Sequence, residues 1–154
     1  MDARIMFGCF EVGGNLYAID VGQIREVVRW QPPTPLPGAP ALIDGVVDLR
    51  GAVIPVVDLG RVLRGVPVDG TDVARIAIVE VDGLVMGLVV DAAVEVLHVD
   101  ARGLDDPPAL AAQAGYDAVR AVLRRPARDL ILVLSLDHIL ESIYRSAFSA
   151  SEVA

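Results

Sequence analysis

The sequence predicts an all-β domain with minor α content, and three observations carry that prediction. Most apolar stretches are short and rich in Val and Ile, and Gly, Pro or Asp interrupts them at the eight-to-twelve-residue spacing of strands in a barrel or sandwich. Helical periodicity is scarce before Asp137. The chain also repeats itself at a long period, the mark of a duplicated unit. Phe10 to Val28 (FEVGGNLYAIDVGQIREVV) aligns without a gap on Val79 to Leu97 (VEVDGLVMGLVVDAAVEVL) at an offset of 69 residues, which puts Glu26 on Glu95 and Val27 on Val96. Val53 to Leu63 (VIPVVDLGRVL) matches Leu130 to Leu140 (LILVLSLDHIL) at an offset of 77.

Taken in order, the apolar stretches predict ten strands: 4–12, 15–20, 24–30, 43–49, 53–57, 73–81, 84–90, 93–99, 117–124 and 129–135. Gly13, Gly14 and Asn15 form one tight hairpin turn and Asp82–Gly83 another, because these residues tolerate a positive φ. The Trp30–Ala41 stretch holds five prolines and reads as a stiff connection across one end, although its Pro32–Pro35 spacing also suits a proline-binding partner. From Asp137, read as the cap, Ile139, Leu140, Ile143 and Ala147 recur at helical spacing, predicting a C-terminal helix over about 137–147 that docks on the body. The whole is one domain of two pseudo-symmetric five-stranded barrels, at about 15–70 and 73–135, with the terminal segments completing them. Units this small bury too little apolar surface alone and pack around a shared core.

Composition narrows the function. The net charge of −8 argues against nucleic acid, whose phosphates are bound by clustered Lys and Arg. Arg120, Arg124, Arg125 and Arg128 form the one basic cluster, which reads as the solvated rim of a hairpin. No apolar run approaches the roughly 20 residues of a membrane span, and the N-terminus lacks the pattern of a signal peptide. With one cysteine, Cys9, these features lead us to expect a cytoplasmic protein without direct membrane insertion.

Chemistry is hard to find. Cys9, His98 and His138 have no paired spacing for a metal. There is no G-x-S-x-G elbow and no phosphate loop. Asp20, Asp44, Asp48, Asp58 and Asp91 stand at strand ends, where Asp most often bonds a turn backbone. The expectation is therefore no catalytic residue, no cofactor and no metal, with recognition as the working function. An enzymatic or small-molecule-binding barrel using Asp58 or Asp91 is the competing reading. Arg50, in the apolar stretch GVVDLRGAVIPVVDL, needs a carboxylate, and Glu26 is the acid to pair with it. That pair is either a stabilising ion pair or part of a binding groove. Gly51 supplies the turn after Arg50. By contrast, Arg125 is expected to matter less than Arg50.

The segments YAIDVGQIREVV, TPLPGAPA, GVVDLRGAVIPVVDL, LVVDAAVEVL and LILVLSLDHIL, in that order, are similar to the CheW family over roughly residues 4–143. The third is close to the family's GVxNLRGxVxPVxDL, with Asp48 in place of the usual Asn, and in it Gly45, Leu49, Arg50, Gly51, Pro55 and Asp58 carry the motif. Asp48 either bonds the turn or competes with Glu26 for Arg50. The resemblance implies a non-catalytic adaptor that couples the cytoplasmic tips of chemoreceptors to the regulatory domain of a CheA-type histidine kinase, recruited to membrane-associated receptor arrays. A non-flagellar chemosensory pathway is the alternative setting. The resemblance also implies a Glu26–Arg50 salt bridge important to signalling. Receptor contacts at Val21, Ile24, Glu26, Val27 and Arg50, and kinase contacts in the second half at Val89, Val90, Val94 and Val96, follow from the same likeness.

Overall fold

A computed structural model describes residues 4–108, 118–125 and 130–152 of the 154. The strands are β1 (Arg4–Val12), β2 (Asn15–Asp20), β3 (Ile24–Arg29), β4 (Ile43–Leu49), β5 (Ala52–Asp58), β6 (Arg75–Val81), β7 (Leu84–Val90), β8 (Ala92–Asp100), β9 (Leu104–Asp105), β10 (Val119–Arg124) and β11 (Leu130–Leu134). Among the described residues there are two α-helices, α1 (Leu59–Arg64) and α2 (Leu136–Glu152), and two single-turn 3-10 helices, Val21–Gln23 and Ala101–Gly103. Each expected strand meets an observed one; the expected starts at 117 and 129, like Arg128, lie outside the described residues. Four short elements, α1, β9 and the two 3-10 turns, were not expected.

Three hairpins turn on two residues each, Gly13–Gly14, Arg50–Gly51 and Asp82–Gly83, all with positive φ. Two left-handed residues in succession give the backbone twist that matches paired strands. Gly in the second place is therefore explained, and Arg50 at φ 50° is the unusual occupant.

The strands form two sheets, β8-β1-β2-β11-β10-β9 and β3-β6-β7-β5-β4. The internal repeat governs their pairing to the residue. Gly8 faces Val96 across β1 and β8, and their repeat counterparts, Ala77 and Val27, face each other across β6 and β3. Val133 lies beside Ala18 in the parallel β11–β2 pair, and its counterpart Val56 lies beside Gly87 in the parallel β5–β7 pair. Even the register shifts coincide: one falls where Ala93 and Glu95 meet β1, the other where Ile24 and Glu26 meet β6. The third strand of each repeat thus leaves its own hairpin and pairs with the first strand of the other. Neither half is a complete sheet alone, so the halves interlock.

The expected all-β fold with two barrel-like halves and a C-terminal helix is present, the barrels taking the form of two curled sheets of six and five strands with open ladders. Past the end of β3 the chain bends round to β4, where Thr34 and Val46 exchange both backbone hydrogen bonds at 2.8 and 2.9 Å. Past the end of β8, β9 reaches β10, with Leu104 opposite Leu123. Val46 and Leu123 are themselves repeat partners at the 77-residue offset. Each sheet therefore curls until its two ends meet at a seam crossed by only a few bonds.

The central core draws Phe10, Tyr17 and Ile19 from one sheet and Val79, Met86 and Leu88 from the other, so burial holds the halves together. Smaller clusters fill each curl, Phe7, Ala18 and Ile131 in the first and Ile54, Ile76 and Val89 in the second. Helix α2 docks through Ile139 and Ile143, as expected, but begins one residue earlier. Its cap is Ser135, whose Oγ accepts from the His138 N–H at 3.4 Å, while Asp137 stands exposed in the first turn. Asp58, the repeat counterpart of Ser135, caps α1 in the same way, accepting from Arg61 N–H at 3.2 Å.

Asp58 is 5 % exposed and also accepts from Val68 N–H at 3.0 Å, tying the chain beyond α1 to the sheet. Asp58→Ala leaves those buried donors unpaired, and we expect it to lower unfolding stability by about 2 kcal/mol in denaturant titration. Burial pushes the Asp58 carboxyl above its ordinary value, against the pull of the Val68 and Arg61 N–H groups. The folded chain then binds this proton more readily than the unfolded one. Its contribution to stability is full below the unfolded value and is lost as pH rises through the folded value. Stability measured against pH in Asp58→Asn should lack this fall.

Candidate functional site

Strands β3 and β8 are both sheet edges, and an apolar groove of about 340 Å³ lies between them. Val21, Ile24 and Val27 form one wall, Val94 and Val96 the other, and Gly8, Cys9 and Phe10 of β1 the floor. A Cβ at Gly8 would come within 2.7 Å of Ile24 Cδ1 and displace the end of that side chain in the wall. Val27, Val94 and Val96 are 40 %, 48 % and 55 % exposed, an apolar strip that a folded monomer leaves in water. Residues expected in two separate surfaces therefore share one groove. Val89 and Val90 do not join it. They are 2 % and 0 % exposed in the core, because β7 is an interior strand covered on both faces, and this corrects their expected place on the surface.

A second groove of about 470 Å³ follows the seam between β3 and the β4–β5 hairpin, lined by Glu26, Arg50, Val53 and Ile54 among others. Arg50 Nη2 donates to Glu26 Oε2. In a flat sheet the four strand spacings from β3 to β4 would span roughly 19 Å. The contact exists because the sheet curls, so the ion pair crosses the seam. The Arg50 side chain is 70 % exposed and that of Glu26 34 %. The expected reason for the pairing, relief of a guanidinium amid apolar sequence, is thus replaced by position at a turn tip. The hydrogen bond and the attraction of Glu26 raise the Arg50 pKa further, holding the charge. Asp48 does not compete: its Oδ1 accepts from Gly51 N–H at 2.9 Å, the turn bond of which Asn is also capable.

The rest of the motif is scaffolding. Gly45 lies where a Cβ would meet the Thr34 carbonyl oxygen at 2.3 Å. Leu49 packs on the cluster of the second sheet. Pro55 faces Val46 on β4 and precedes Val56, where the ladder to β7 begins, so its missing N–H costs no bond there.

Asp20, Asp44, Asp91 and His138 have structural partners. Asp20 accepts from Gly22 N–H at 2.8 Å, Asp91 from Gly13 N–H at 2.6 Å, and Asp44 pairs with Arg61. His138 Nδ1 lies 2.7 Å from Ser135 Oγ at the head of α2. Cys9 is 1 % exposed, and burial pushes its thiol pKa up, away from the reactive thiolate. Among the described residues no group of three or more His, Cys, Asp or Glu could hold a metal, and no helix is long and apolar enough to cross a membrane.

Sequence reasoning missed the partner of Arg125. Arg125 is not solvated rim: its side chain is 21 % exposed, and Nη1 donates to Glu95 Oε1 at 3.1 Å. The repeat carried the signal, since it puts Glu95 on Glu26. Of its neighbours, Arg124 meets Asp105 at 3.2 Å and Arg120 lies 5.9 Å from the centre of the Phe7 ring.

The chain is thus a duplicated, interlocked β fold that exposes an apolar groove between two edge strands. Residues 7–144 match the family model of the CheW-like domain, and the chain belongs to that family. It is 35 % identical over 138 residues to the chemotaxis protein CheW of Rhizobium meliloti (strain 1021), covering 90 % of this chain and 88 % of that one. It is 38 % identical over 99 residues to the chemotaxis protein CheW of Bacillus subtilis (strain 168), covering 64 % of each. The crystal structure of scaffolding protein TtCheW from Thermoanaerobacter tengcongensis superposes with a TM-score of 0.75 at 30 % identity, over 88 % of this chain and 86 % of that one. With the family comes the coarse role, a scaffold of chemotaxis.

Proposed function

We propose that this chain is a non-catalytic adaptor that couples the cytoplasmic tips of chemoreceptors to the regulatory domain of a CheA-type histidine kinase. The observation that carries the reading is the exposed apolar groove between β3 and β8, flanked by the Glu26–Arg50 pair. The β3 wall, with Val21, Ile24, Glu26, Val27 and Arg50 beside it, receives the receptor tip. The exposed face of β8, with Val94 and Val96, receives the kinase domain, without the buried Val89 and Val90. Such a chain works in the cytoplasm, at arrays built by its partners.

Capture on immobilised receptor tips and on the kinase regulatory domain tests this at micromolar concentration. Retention by both is expected, and retention by neither defeats the proposal. Val27→Asp places a charge on the receptor wall at a position 40 % exposed, so receptor-tip affinity should fall about tenfold or more while the thermal midpoint stays near that of the parent.

A further inference from the structure

The Glu95–Arg125 pair stands in the first sheet where Glu26–Arg50 stands in the second. Glu26 and Glu95 are repeat partners, each on an edge strand at the same register shift. Arg50 follows β4 and Arg125 follows β10, the strands that each sheet brings round to its seam. In sheet order β8 and β10 are four spacings apart, roughly 19 Å if flat, yet Arg125 Nη1 lies 3.1 Å from Glu95 Oε1. Both pairs therefore clasp a curled sheet across the gap in its ladder. They differ at the arginine, whose side chain is 21 % exposed for Arg125 against 70 % for Arg50, while the carboxylates Glu95 and Glu26 are 45 % and 34 % exposed. Less water reaches the Arg125 guanidinium, so its charge is screened less.

We propose that Glu95 and Arg125 are positioning residues for partner binding: their clasp holds edge strand β8 in place as one wall of the apolar groove. Glu95 lines that groove between Val94 and Val96 and faces Cys9 across the β1–β8 ladder. On one side β8 pairs with β1; its other edge has no ladder partner among the described residues. Releasing Glu95 loosens the strand at its register shift, where the β1–β8 pairing is already interrupted. Val94 and Val96 then lose the fixed placement that a rigid kinase domain requires, and binding weakens even though the fold persists. The inference rests on the groove being the partner surface, as argued above.

Cys9, on the groove floor and 1 % exposed, is a built-in reporter that needs no partner. Its reaction rate with a soluble thiol reagent should rise severalfold in Glu95→Gln and in Arg125→Ala, and return toward the parent rate in the exchanged pair Glu95→Arg with Arg125→Glu. Affinity for the kinase regulatory domain should fall about fivefold to tenfold in the single variants and recover in the exchanged pair, at thermal midpoints that leave every variant folded. Arg125→Lys, which keeps the charge, should sit between parent and Arg125→Ala in both readouts. Unchanged Cys9 rates overturn the clasp, and faster rates with unchanged kinase affinity overturn its role in binding. If the parent chain itself binds no kinase domain, the adaptor reading fails instead, and with it the role assigned to the clasp in binding.

Discussion

Reversing one charge of the Glu26–Arg50 pair should abolish most receptor-dependent kinase activation, and reversing both should restore it. Arg50→Glu sets two carboxylates against each other across the seam of the second sheet, beside the β3 wall of the groove. The ends of the curled sheet then repel where the ladder has only the Thr34–Val46 bridge to resist them. We expect affinity for the receptor tip to fall at least about tenfold, the scale on which charge pairs at an interface act. The double exchange, Glu26→Arg with Arg50→Glu, should recover much of it. Stability should hardly respond, because a pair with 70 % of one side chain in water contributes little to folding. Arg50→Asn sharpens the distinction. Arg50 sits at φ 50° in a turn that Asn occupies with less strain, so this change removes the guanidinium without weakening the hairpin. A folded Arg50→Asn variant with parental receptor affinity and kinase activation would falsify a signalling role for the pair.

A large loss of stability should come from a single methyl group at Gly45. A Cβ there lies 2.3 Å from the Thr34 carbonyl oxygen and 2.7 Å from its carbonyl carbon, both backbone atoms without a rotamer to change. Thr34 O is also the acceptor for Val46 N–H, so moving it breaks the bridge that crosses the seam. Gly45→Ala should cost about 3 kcal/mol in denaturant unfolding, as overpacking of a fixed site does. Gly51→Ala serves as the comparison: its Cβ would meet nothing within 4 Å, and its cost comes from φ 89° alone. Equal losses for the two would contradict the close approach at Gly45.

Much of this architecture was legible because the duplication is written in side chains. The 69-residue offset predicts not only two hairpins but which residues face each other, as Gly8 with Val96 and Ala77 with Val27 show. What a linear pattern does not show is exchange: nothing in alternation says that β3 leaves its own hairpin to pair with β6, since both outcomes bury the same faces. Helix α1 escaped notice because six residues carry too little periodicity, although its alignment with the start of α2 pointed to it. The Glu26–Arg50 contact was expected from a charge in apolar sequence, although it forms at a turn tip, while Val89 and Val90 were misplaced because an apolar run looks alike whether it lines a groove or a core. Arg125 was lost among four arginines, where composition hid a specific partner.

The central claim is that one chain joins two larger partners by surface alone, and sedimentation of the chain with receptor tips and kinase regulatory domain tests it most directly. The account predicts a single ternary species at micromolar concentration, larger than either binary complex and lost in Val27→Asp. Two binary complexes that exclude one another, or no complex at all, would contradict it.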